Sequence, residues 1–181
     1  MGLLSILKGD IRYFNKNAVP AWNDIVARVD SALEKSSGGV FVTTSEEKEI
    51  LGNALSLAKV AIFDMLFHPD TGVIKSRVKK FDREAFFSLY AMVVLFLIST
   101  FKNIRPQKSE ELKGLFAKST DLSEECVAFG DEMDKIYKNN NLQIEAILQR
   151  ISNYCGELSA QERSGLISAF RGLTVTFIDI L

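Results

Sequence analysis

The most strongly patterned part of the chain is a stretch of 17 residues, 85–101, that has no charged side chain and is apolar on every side. A membrane-spanning helix needs about 20 such residues and rarely fewer than about 17, so length alone leaves a membrane span open. Basic residues flank the stretch on both sides, whereas a membrane span carries them mainly on its cytoplasmic side. We therefore expect residues 82–104 to form a buried core helix, with a membrane segment as the alternative.

At least five other segments have an apolar stripe at helical spacing opposite a charged face. Each stripe must pack against something, and a helix that is apolar all round belongs at the centre of such a set. The sequence predicts an all-α fold, a single-domain bundle over residues 1–181. About six to eight helices surround the central apolar helix of residues 82–104.

Several helix starts carry a capping signature, in which a side-chain oxygen accepts a backbone N–H that has no partner within the helix. The central helix combines an Asp cap with aromatic residues at the two positions of a hydrophobic staple. These predicted caps are Thr44 with Glu47, Asp82 with the staple pair Phe81 and Phe86, and Ser159 with Glu162.

The first residues form a separate pattern. Leu3, Leu7, Ile11 and Phe14 recur at helical spacing and predict a short amphipathic arm over residues 1–16. Pro20 suits the first turn of a second helix, so we expect a break before it. The arm packs on the body of the protein or, in the alternative, buries Leu3, Leu7 and Ile11 in the headgroup region of a membrane.

Two short segments are rich in β-branched residues. Residues 40–44 are too short for a stable strand, and we expect an extended loop there. Residues 173–181 are ambiguous between helix and strand, and helix is favoured because no partner strand is evident.

The composition is that of a globular protein, with 47% apolar and 25% charged residues and a net charge of -1. Nucleic acid is not expected as a partner, because binding it rests on neutralising phosphates. The charge is nevertheless uneven: residues 75–118 carry a net +6 and residues 119–181 a net -5. Cys126 and Cys155 show no metal-binding spacing, and we expect buried thiols in a reducing, cytoplasmic compartment.

Signatures of catalysis are missing from the sequence. His68 is the single histidine, and it stands before a proline at a predicted helix end. There is no nucleotide-binding glycine motif, no metal-ligand spacing and no paired Glu-x-x-His motif of a di-iron bundle. We therefore expect a non-enzymatic protein with no catalytic residues, no metal and no cofactor.

A run of basic residues lies between two predicted helices. Lys75, Arg77, Lys79, Lys80 and Arg83 fall within nine residues and are expected in an exposed, extended connector. Such a patch attracts an anionic partner surface. The alternative is that it neutralises the acidic helices of the protein itself, around residues 46–49 or 121–134.

These observations favour a non-enzymatic helical protein-interaction module, such as an adaptor, regulator, chaperone or immunity-type inhibitor. Its partner is expected to be another protein, contacted through the basic connector. The alternative is a helical protein that associates with a membrane surface or binds a hydrophobic ligand, which the 13 phenylalanines and the amphipathic N-terminus favour.

Overall fold

The structure is a computed structural model that describes residues 3–36, 44–67 and 75–181. Within these ranges the chain forms seven α-helices, one 3₁₀ helix and no strand, which confirms the predicted all-α fold. The helices are α1 (Leu3–Ser36), α2 (Ser45–Phe67), the 3₁₀ helix (Lys75–Lys80), α3 (Arg83–Phe101), α4 (Pro106–Thr120), α5 (Glu124–Ile136), α6 (Asn140–Cys155) and α7 (Ala160–Asp179).

Helix α3 is the centre of the bundle. It packs against each of the other six α-helices. All of its 19 residues are buried except Arg83, Glu84 and Phe87. Burying a large apolar side chain contributes about 1.5–3 kcal/mol, so this one helix supplies a major share of the drive to fold. The predicted central helix is confirmed, although it ends at Phe101 rather than at residue 104.

The remaining helices surround α3 in a ring. Helix α1 contacts α2, α2 contacts α7, α7 contacts α6 and α6 contacts α5, while α4 closes on α1. Helices α4 and α5 are joined by a tight turn at Asp121, which has a left-handed backbone with φ 50°. Asp tolerates this conformation better than most residues because its short side chain bonds locally.

Helix α1 corrects one prediction. The expected break before Pro20 is wrong, because α1 runs without interruption from Leu3 to Ser36. A proline inside a helix removes one backbone hydrogen bond and crowds the preceding turn. Here the buried face continues across it, with Phe14, Ala18 and Ala21 all in the core. Packing against α3 on both sides of Pro20 outweighs the local penalty.

The predicted caps form. Asp82 accepts a hydrogen bond from the Ala85 N–H at 2.9 Å, and the Phe81 and Phe86 rings lie 5.5 Å apart as a staple. Both capping boxes are present, Thr44 with Glu47 and Ser159 with Glu162. The ambiguous C-terminal segment is helical as far as Asp179, as favoured. Residues 40–43, predicted as loop, lie outside the described residues.

Candidate functional site

The basic connector is a 3₁₀ helix over Lys75–Lys80, so the extended conformation predicted for it is wrong. Three residues per turn replace the two-residue alternation of an extended chain. Residues two positions apart in this segment therefore do not lie on the same side, as they would in an extended chain.

Contacts within the bundle occupy much of this connector. Arg77 donates a hydrogen bond to the Glu157 carbonyl at 2.7 Å and lies 3.5 Å from the Glu162 carboxylate. Lys80 donates to the Cys155 carbonyl at 3.4 Å. These two cations cover the carbonyl end of α6, where positive charge is favoured. Through these contacts the connector, which directly precedes α3 in the chain, packs against the junction between α6 and α7.

The other predicted contact residues are dispersed. Arg83 is exposed and lies 3.9 Å from Asp24, while Lys79 is exposed and its carbonyl accepts a hydrogen bond from Tyr13. The side chain of Lys75 lies outside the described residues. Among the described side chains, Arg77, Lys79, Lys80 and Arg83 therefore do not form one free cationic patch.

Basic side chains of α4 neutralise acidic side chains of α2 and α5. Lys108 lies 2.9 Å from Glu47 at the start of α2, and Lys113 pairs with Asp131 and Asp134 of α5. The sequence offered this role to the connector as the alternative to partner binding, and in the described structure α4 pairs with Glu47, Asp131 and Asp134 instead. The positive middle third of the chain is thus compensated by its acidic flanks across helix interfaces.

The ion pairs of α4 shift the pKa values of Glu47 and Lys113. Burial alone would raise the pKa of Glu47, but Lys108 and the hydrogen bonds from Thr44 outweigh burial and leave it below its ordinary value. Burial alone would lower the pKa of Lys113, but Asp134 and Asp131 outweigh burial and raise it. Glu47 and Lys113 therefore stay ionised over the neutral pH range.

The N-terminal apolar stripe divides into a buried and an exposed part. Phe14 is in the core, where its ring meets Phe63, Phe67 and Phe86 edge to face at 5.3–5.7 Å. Ile11, one turn earlier, is 43% exposed. The side chains of Leu3 and Leu7 lie outside the described residues, so their predicted membrane-facing role stays a prediction.

Exposed apolar side chains lie on both α1 and α2, on either side of the contact between Phe14 and Phe63. Phe63 is 47% exposed although its ring touches Phe14, and Val60, one turn earlier on α2, is 55% exposed. We call Ile11, Val60 and Phe63 the α1–α2 strip. Sequence reasoning missed Val60 and Phe63, because they extend the apolar face of α2 beyond the width that its packing needs.

A groove of about 430 Å³ lies between α1, the start of α3 and the α4–α5 turn. Arg28 crosses it, with its guanidinium 5.1 Å from the centre of the Phe87 ring. This guanidinium donates to both Asp24 carboxylate oxygens and, at 2.9 Å, to the Thr120 carbonyl. The groove's strongest binding group is therefore already engaged within the protein.

A smaller cavity of about 200 Å³ lies at one end of the bundle, where α3 ends, α6 begins and α7 ends. Gln143 is fully buried in its wall. Its amide nitrogen donates to Ser99 Oγ at 2.9 Å, and Ser99 in turn donates to the Met133 carbonyl at 3.0 Å. Neither Gln143 Oε1 nor the buried Oδ1 of Asn140 receives a hydrogen bond in the described structure.

Both cysteines are free and buried. Burial is the main cause that raises the pKa of each thiol, which keeps both in the unreactive protonated form at neutral pH. In the described ranges, no group of three His, Cys, Asp or Glu side chains is arranged to hold a metal ion. His68 lies outside these ranges.

Helices α2 and α3 are each long and apolar enough to cross a membrane, by length and composition. In α3, 89% of the most apolar window is buried within the bundle, compared with 44% in α2. The buried core helix of a water-soluble protein meets the same criteria, so length and composition are weak evidence for a membrane span here. In the described structure all six other α-helices pack against α3.

Comparisons with protein-family models, with curated proteins and with solved structures found no match to this chain. The functional argument therefore rests on the geometry of these surfaces and cavities.

Proposed function

We propose that this protein is a soluble, cytoplasmic, non-enzymatic helical interaction module whose contact surface is the α1–α2 strip. The observation that carries the proposal is the exposure of Phe63, with exposed Val60 one turn before it on α2 and exposed Ile11 one turn before Phe14, which the Phe63 ring touches on α1. Most other large aromatic rings of the described bundle are buried. Exposed apolar side chains that gather on one surface are typical of a binding site. Exposed Phe63 is also the kind of aromatic side chain that anchors interfaces.

The charges around the strip indicate the kind of partner. Within five positions of Ile11, Val60 or Phe63, the charged residues described as exposed are Arg12, Lys16, Lys59 and, with the opposite charge, Asp64. An amphipathic helix of another protein, with an apolar face and acidic flanks, would complement this arrangement. The compensated connector makes a weaker candidate, because Arg77 and Lys80 already bind carbonyls of the chain itself.

A second candidate is attachment to an anionic membrane surface. The observation that favours it is the pairing of exposed Ile11 with exposed Arg12 and Lys16 on the N-terminal part of α1. A basic amphipathic helix of this kind lies in the headgroup plane with its apolar face buried. The two candidates use overlapping surfaces and differ in their ligand.

Site-specific cross-linking tests the leading candidate. A photoreactive residue replaces Phe63 in the native cell, and a second variant carries it at Val127, a similarly exposed apolar position on α5. We expect one dominant protein adduct from position 63 and none above background from position 127. The captured protein, once purified, should bind the wild type and lose at least about tenfold in affinity with Phe63→Asp, as expected for an interface anchor.

Flotation with vesicles of anionic and of neutral lipid separates the second candidate. Membrane attachment predicts co-flotation with anionic vesicles only, reduced by Ile11→Asp and by added salt. The strip has no binding role if position 63 gives no more adduct than position 127 and the protein does not float.

A further inference from the structure

Helix α2 has more apolar surface than the bundle covers. By length and composition it is apolar enough to cross a membrane, yet only 44% of its most apolar window is buried, compared with 89% in α3. Its exposed residues include five that follow one another at intervals of three or four positions, which places them on one side of the helix. These residues, which we call the α2 outer face, are Glu49, Gly52, Ser56, Val60 and Phe63.

The α2 outer face has the same spacing in both directions from Ser56. Gly52 and Val60 stand four positions on either side of it, and Glu49 and Phe63 stand seven. A second α2 laid antiparallel across Ser56 therefore places Val60 of each copy opposite Gly52 of the other. It places Phe63 of each copy opposite Glu49. A Cβ at Gly52 would meet no atom within 4 Å, so this position is open to the side chain of a neighbour.

The two ends of α2 differ in charge. Near its start, exposed Glu49 lies beside Glu46, which Arg105 binds. Near its end, exposed Lys59 belongs to the basic surroundings of the α1–α2 strip, in which Asp64 is the acidic exception. Antiparallel pairing brings the positive end of each copy to the negative end of the other, with Lys59 about one turn from Glu49. Parallel pairing would bring like charges together.

An apolar depression lies beside Glu49 and can receive the Phe63 ring of a second copy. Its volume is about 170 Å³, and its lining includes Ile104, Ile180 and Leu181, which are 44–52% exposed. An engineered cavity of about 150 Å³ holds benzene, so a depression of this size suits a phenyl ring. Because Phe63 of the second copy stands opposite Glu49, the exposed edge of its ring lies at the mouth of this depression.

We propose that the α2 outer face is a homodimer interface, in which two copies pair antiparallel about a twofold axis at Ser56. Twofold homodimers are the commonest assembly of soluble proteins, and each contact in them occurs twice. The net charge of -1 opposes the association of two copies only weakly. The inference rests on the proposed function, because Val60 and Phe63 belong to both surfaces. It adds regulation: dimerisation and binding of another protein at the α1–α2 strip exclude each other.

Sedimentation velocity over a range of concentrations tests for the dimer. We expect monomers at about 1 µM and mostly dimers at about 300 µM, from a Kd on the order of 10 µM for a small interface. Gly52→Arg should weaken the dimer at least about tenfold, because the new side chain fills the position opposite Val60. Gly172→Arg on α7 is the matched control, since Gly172 is exposed and equally open, and it should leave the dimer intact.

A cysteine at the axis tests the geometry. Ser56→Cys places two thiols together across the twofold axis, so mild oxidation should link the two copies by a disulfide. Ala128→Cys, at an exposed position on α5, should give no linked dimer above background. The native Cys126 and Cys155 are buried and should not contribute.

A charge exchange tests the antiparallel direction. Glu49→Lys and Lys59→Glu should each weaken the dimer about fivefold, and the two changes in one chain should restore it, because each pair then forms with its charges reversed. Failure to restore the dimer would contradict the antiparallel pairing.

The proposal is overturned if the wild type stays monomeric at about 300 µM, including the case in which it associates only with lipid vesicles. It is also overturned if Gly52→Arg and Gly172→Arg behave alike. These results leave the proposed function standing, because the adduct of a different protein at position 63 does not require a dimer. If position 63 captures no other protein while the dimer forms, the proposed function fails and the dimer stands.

Discussion

Replacing Phe96 with alanine probes the centre of the bundle. Phe96 is fully buried in α3, and its ring meets Phe170 of α7 edge to face at 5.5 Å. Phe→Ala changes at buried sites cost about 3–5 kcal/mol, from lost transfer energy and the cavity left behind. About 0.5–1.5 kcal/mol of this is the ring pair itself. Since a domain is stable by about 5–15 kcal/mol, Phe96→Ala removes a large fraction of the total.

The assay is urea unfolding followed by far-UV circular dichroism, supported by thermal melting. At about 2–4 °C per kcal/mol for a chain of this size, Tm should fall by about 6–20 °C. Phe87→Ala is the matched control on the same helix, because Phe87 is only half-buried beneath Arg28. The control should cost about 1–2 kcal/mol. A Phe96→Ala variant no less stable than Phe87→Ala would refute the placement of Phe96 in the core.

Three further predictions concern ionisation, capping and thiols. Because folding lowers the pKa of Glu47, this residue contributes stability at pH values above its ordinary pKa of 4.5. Because folding raises the pKa of Lys113, that residue contributes stability at pH values below its ordinary pKa of 10.5. The raised pKa values of Cys126 and Cys155 take stability away above their ordinary value of 9.0. Urea midpoints should therefore be flat between about pH 4.5 and pH 9 and fall outside these limits, and a continuous slope through neutral pH would contradict this. Asp82→Ala removes the cap of α3 and should cost about 1 kcal/mol in the same assay, whereas Asp82→Asn should cost less than half as much. Cys126 and Cys155 should react with a thiol reagent roughly 10³-fold more slowly in the native state than in denaturant, and fast native labelling would show that one is accessible.

Much of the fold follows from local sequence, because the relevant interactions are local. The cap at Asp82 and the box at Ser159 involve residues three positions apart, so their spacing alone predicts them. The apolar character of residues 85–101 likewise predicts a buried helix without knowledge of its neighbours. The predicted break before Pro20 is wrong for the same reason. The local preference of proline indicates a helix start, whereas the packing that keeps α1 continuous involves residues distant in sequence.

The candidate sites were harder to predict because distant residues build them. Lys108 and Glu47 are 61 positions apart, and nothing near either residue indicates the pair. Gln143 follows a run of three asparagines that resembles a simple polar turn. Its buried amide donates to Ser99, which in turn donates to the Met133 carbonyl. Only the packing of α3, α5 and α6 brings these three residues together.

Hydrogen exchange of the backbone amides in detergent-free buffer tests the central claim, that α3 is the core of this bundle, most directly. We predict that amides of residues 93–96 exchange only through global unfolding and are among the slowest in the chain. Phe96→Ala should then accelerate them by about tenfold for each 1.4 kcal/mol it removes. Rapid exchange in α3, or protection that appears only when lipid or detergent is added, would contradict the account.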